Sequence, residues 1–130
     1  MSFSTINNSI TTYFQDIADT HDLVVRYNND IRKTPSSGLW CKCNIDFDDS
    51  KQKEIGINSY RNTGIFTIEI YYPIKMGLWS ILRLVDIIVA SFTEEVINDS
   101  VKFKTPSVKN IGRIEDNYQM NIICPFYIDN

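Results

Sequence analysis

The stretch Tyr71–Phe92, YYPIKMGLWSILRLVDIIVASF, is the most apolar run of the chain, and how it is covered decides the fold. A membrane span needs about twenty predominantly apolar residues. Leu78 to Phe92 is shorter and carries Arg83 and Asp86 near its middle. Each charge costs roughly 2.5–3.5 kcal/mol at the centre of an inserted helix, which excludes a membrane-spanning role. As a helix outside a membrane it has only a narrow polar stripe, Ser80, Arg83, Asp86, Ala90 and Glu94, spaced three or four apart. Trp79 and part of the Leu/Ile/Val set are then in surplus over what one sheet can bury. The surplus is covered either by a first helix of the same chain or by another subunit, because large exposed apolar patches usually mark contacts.

Working outward, Gly77 precedes this helix, which is expected to run to about Val96. Before it, Phe66, Ile68, Ile70 and Tyr72 alternate with Ile65, Thr67, Glu69 and Tyr71 in a strand stopped by Pro73. Leu39, Cys41, Cys43, Ile45 and Phe47 share one face of an earlier strand; Trp40, Lys42, Asn44 and Asp46 share the other. Near the N-terminus Ile6, Ile10, Tyr13, Phe14 and Ile17 recur at helical spacing, with Ser4 or Thr5 as N-cap and an end near Asp19. Leu23–Tyr27 reads as a short strand, followed by turn chemistry in NNDIRKTPSSG. Ile55-Gly56-Ile57 is a weak strand or extended arm. After the long helix come strands at Val101–Thr105, Val108–Ile111 and Tyr118–Phe126. Pro125 cannot donate to a ladder, so that last strand should end at an edge or bulge. The predicted order is α-β-β-β-β-α-β-β-β, an α+β fold with a mostly antiparallel sheet and two helices packed on one face.

The bulk numbers fit one domain over residues 1–130. The chain is 43% hydrophobic and 22% charged, and its net charge of −3 gives no general attraction to nucleic acid or anionic membranes. Three cysteines, Cys41, Cys43 and Cys124, leave an odd thiol, so core cysteines are expected and not a disulfide framework. The N-terminus has no basic region followed by an apolar run, so no secretory signal is expected.

No enzyme constellation emerges. Asp46, Asp48 and Asp49 form the only candidate cation cluster, but the EF-hand glycine and terminal glutamate are missing. Cys41-x-Cys43 has the wrong spacing for zinc. His21 is the only histidine and has no nucleophile motif beside it. No phosphate-cradling glycine loop and no cofactor motif is present. Lys102, Lys104, Lys109 and Arg113 form a basic run, in which Lys102 and Lys104 share a strand face opposite Val101, Phe103 and Thr105. Stacking aromatics of the kind single-strand binders use are not interleaved with them, so a solvated or charge-complementary face fits better than nucleic-acid recognition. A small nucleic-acid-binding regulator and an Asp46/Asp48/Asp49 metal nuclease are the alternatives from other classes.

The order of these features resembles the tail terminator family of lambda-like long-tailed phages, over roughly residues 6 to 128. A helix of Ile6/Ile10/Phe14/Ile17 type comes first, then a short strand, a Pro-containing turn and a strand led by Trp40. Arg61-x-x-Gly64 opens a strand ending in Tyr72-Pro73, then come Gly77 and a long helix with Asp86 and Phe92. Gly112 and Tyr118 flank the last turn, and Cys124-Pro125-Phe126 matches a hydrophobic-Pro-Phe ending. The resemblance implies a non-enzymatic virion assembly protein, put together in the host cytoplasm and located in the tail or neck. It would be a homo-hexameric ring that caps the tail tube, stops its polymerisation and joins a head-completion or connector protein. Other neck components are the nearest alternative. Under this resemblance the Trp79 side of the long helix and the arm Lys51–Gly64 are the expected halves of the subunit contact. Trp79, Arg83, Tyr60, Arg61, Arg26, Arg32, Lys102 and Lys104 are the expected subunit or tail-tube contacts. The acids Asp16, Asp19 and Asp22 stand apart from the basic segments Arg26–Lys33 and Lys102–Arg113, which would make ring faces or subunit edges electrostatically different.

Overall fold

Ile6, Ile10, Phe14 and Ala18, at helical spacing, draw α1 (Phe3–Thr20) onto a sheet in a computed structural model of the chain. The structure describes residues 2–27, 38–48, 51–52, 60–115 and 117–129. Ser2 is the N-cap, its hydroxyl accepting from the Thr5 backbone N–H at 3.2 Å, so the helix starts earlier than a Ser4 or Thr5 cap implies. Next come β1 (Val24–Tyr27), β2 (Trp40–Phe47), the two-residue β3 (Lys51–Gln52) and β4 (Tyr60–Pro73). A 3-10 turn (Ile74–Met76) leads into α2 (Leu78–Phe92), and β5 (Val96–Ile97), β6 (Val101–Phe103), β7 (Ser107–Ile114) and β8 (Asn117–Asp129) complete the chain. The expected arm around Ile55–Ile57 lies outside the described residues.

The fold is α+β. The sheet order is β1-β2-β4-β8-β6-β5, with β3 beside β4 and β7 beside β8. All pairings are antiparallel except β1 with β2, which is parallel. The twelve residues between Tyr27 and Trp40 are what makes the parallel pair possible, since such strands need a connection of about a dozen residues or more. The alternation in β2, β4 and β8 sends Cys41, Cys43, Phe66, Ile68, Ile70, Met120, Ile122 and Cys124 to one face, where both helices lie.

Three expectations are corrected. α2 stops at Phe92 and not near Val96; Glu94 adopts a positive φ of 54°, and Val96 begins β5. The sheet gains β5, joined to β6 by a tight turn in which Asn98 and Asp99 both have positive φ, as short-hairpin turns require. Pro125 lies in the middle of a central strand, opposite Ile65. Its carbonyl accepts from the Lys104 backbone N–H at 3.0 Å, so its missing N–H faces the break between β6 and β7, where no ladder bond is lost.

The core centres on Phe92, whose ring lies 5.0 Å from that of Phe103, 5.3 Å from Tyr13 and 5.7 Å from Phe66. Gly64 is required by close packing: a Cβ there would lie 2.8 Å from the Asp46 carbonyl and closer still to the Phe126 ring. Cys41, Cys43 and Cys124 are buried and unpaired. Burial pushes the Cys124 thiol up to about 12, and burial together with the hydrogen bond that the Cys43 thiol donates to Cys41 raises Cys43 as well.

Candidate functional site

α2 is covered unequally along its length. Ile81, Val85, Ile88 and Phe92 form the stripe on the sheet. Near the C-terminal end, the Tyr13 hydroxyl donates to the Ser91 carbonyl at 2.6 Å, and Ile17, Thr20 and His21 line a groove with Ile87. There α1 ends and the chain turns into β1. The nine residues Leu78–Asp86, about 13 Å of helix, extend past that point. Trp79 is 70% exposed, and Leu78 and Leu82 are exposed beside it. The Arg83 guanidinium sits over the indole at 4.9 Å from the ring centre, a cation–π contact on an open surface.

The bare end adjoins a cleft. Tyr72 and Tyr118 stack at 5.5 Å to form its floor, and Ile74, Leu78, Asn110 and Gly112 complete the walls. Burial raises the Tyr72 hydroxyl pKa, with the Tyr118 hydroxyl adding to the effect. β7 borders this cleft and is exposed almost throughout, including Val108, Ile111 and Ile114. A bulge between Asn110 and Gly112 leaves Ile111 as the extra residue, and Gly112 takes a φ of 99°. The apolar residues of the 3-10 turn and β7 were not singled out from sequence. The unusual count of Ile and Val in a segment without strict alternation was the available signal.

The remaining expected contacts are dispersed. Lys102 and Lys104 both lie over the Tyr127 ring, each at 5.9 Å. Tyr127 is nine residues along β8 from Tyr118, about 30 Å, so these lysines and Trp79 mark opposite ends of the sheet. Arg26 is in β1 opposite Lys42, its guanidinium donating to the Val25 carbonyl at 3.1 Å. Tyr60 and Arg61 open β4, with Arg61 between Lys51 and Asp129 in register. Arg32 and Lys33 lie outside the described residues, as does Asp49. Asp46 accepts from the Asn44 amide and Asp48 from the Thr63 hydroxyl, both at 3.0 Å, and among the described residues no metal-ligating cluster forms. Among them too, no helix is long and apolar enough to cross a membrane.

No protein-family model matches the chain, and no curated protein matches it by sequence. Solved structures do match in fold. One chain without a functional name is 18% identical, with a TM-score of 0.76 over 98% of this chain and 96% of its own length. A chain from the virion of a native gene transfer agent particle is 10% identical, with a TM-score of 0.60 over 99% of this chain and all of its own. At these identities the likeness is one of fold, and it extends from end to end.

Proposed function

We propose that the chain is a structural protein of a phage-like virion: a tail terminator that works as a closed ring of identical copies. The ring would cap the head-proximal end of the tail tube, stop tube growth and present a surface to a head-completion protein. The observation that carries this is the bare N-terminal half of α2, an apolar surface around Trp79 that a lone subunit leaves in water. The end-to-end fold likeness to a chain of a gene transfer agent virion supports the same class. The sequence-order resemblance to tail terminators supplies the specific role. A ring requires a heterologous contact, one patch meeting a different patch on the next copy, and a stable contact buries at least about 1,000 Å² in total.

Tube assembly in the presence and absence of the chain tests this role. Tube polymers of its cognate particle should stop at defined length with it and overgrow without it. Unchanged tube length, with the protein recovered at another neck position, would replace the terminator with a different connector.

A further inference from the structure

The bare patch is basic as well as apolar. Lys75, in the 3-10 turn that leads into α2, Arg83, and Arg113, opposite Tyr118, are exposed on its side of the sheet, against the acids Asp86 and Glu115; Lys109, opposite Asn121, is on the other face. Arg83 is engaged with the Trp79 indole, and the Arg113 guanidinium donates to the Glu115 carbonyl at 2.9 Å, so both cations are held at the patch. Two such patches cannot face each other across a two-fold axis without bringing like charges together, which costs affinity.

A second apolar surface of opposite sign lies on the other flank of α2. There α1 and α2 form a shallow groove in which Ile17 and the 40%-exposed Ile87 meet Tyr13, Thr20 and His21. Its rim is α1, which contains no lysine or arginine. Asp16 borders the groove, and Asp19 and Asp22 follow on the same exposed end of the helix and its turn.

We infer that the Leu78/Trp79–β7 patch of one copy docks into the acidic α1–α2 groove of a second copy, apolar on apolar with bases against acids. This rests on the ring reading and replaces the arm Lys51–Gly64 as the other half of the contact. The two halves lie on opposite flanks of one helix, so each copy offers both. The contact is therefore head-to-tail and repeats until the rotation closes.

Charge exchange tests it. Lys75→Glu/Arg113→Glu and Asp16→Lys/Asp19→Lys alter exposed side chains only, and circular dichroism melts confirm that each variant folds. Light scattering should show assembly by the wild type, its loss in either variant alone, and its recovery on mixing the two, because each reversed face finds a complement. Raising ionic strength on the wild type should weaken assembly, a readout independent of any variant. If both variants assemble like the wild type, or if the mixture stays dissociated, the pairing of faces is wrong while the ring stands. A wild type that is monomeric at every concentration and salt overturns the pairing and the ring reading together.

Discussion

The two ends of α2 have similar composition and opposite surroundings. At the C-terminal end Ile88 and Phe92 are buried between the sheet and α1 and have no exposed surface, while Ile87 stays partly open in the groove beside α1. Leu78–Leu84 rests on the same sheet, yet α1 has ended, so Leu78, Trp79 and Leu82 meet solvent. What separates the halves most is Trp79 and Leu78, which stand beyond the end of α1 and are more exposed than any large apolar residue of the C-terminal half. The stripe Ile81, Val85, Ile88 and Phe92 therefore holds the monomer together, and the exposed apolar residues, most of them at the N-terminal end, are available to a partner.

Substitutions at the two ends should differ accordingly. Phe92→Ala opens a cavity among Phe14, Phe66 and Phe103 and should destabilise the monomer by about 3–5 kcal/mol in denaturant unfolding. The covered side also fixes an alkaline response. The Cys124 thiol is held up at about 12 and Cys43 is raised too, whereas both ionise near their ordinary values once unfolded. The native state therefore retains protons that the unfolded chain releases, so stability should be full below pH 9 and fall progressively toward pH 12. A flat profile across that window in urea titrations would contradict the burial of these thiols. Tyr13→Phe removes the hydrogen bond to the Ser91 carbonyl and should cost about 1 kcal/mol. The smallest effect is expected at the bare end, where Trp79→Ala should change monomer stability by no more than about 0.5 kcal/mol.

The buried faces of β2, β4 and β8 were legible because strict alternation has one physical meaning in a sheet covered on one side. Cys41, Cys43, Phe66, Ile68 and Ile122 all point where their spacing required. Sheet order was not legible. The parallel β1–β2 pair depends on what a twelve-residue connection can span, and the tolerance of Pro125 depends on a ladder gap created by two other strands. The helix end failed for a local reason, since the apolar Val96 extends the pattern although the chain has already turned at Glu94. For the candidate interface, composition identified Trp79 as surplus, but the contribution of β7 appeared only when the fold set Asn110 and Gly112 beside Leu78. The basic residues grouped by sequence proved to be at separate places, because strands carry neighbours in sequence to opposite ends of the sheet.

Sedimentation velocity on the wild type and Trp79→Glu, over a concentration series and beside a thermal melt of each, addresses the central claim most directly. The wild type should sediment as a closed assembly, and Trp79→Glu as a folded monomer with an unchanged melting temperature. An unfolded Trp79→Glu chain, or a wild type that sediments as a single copy throughout, would contradict the assignment of this helix end to a neighbouring subunit.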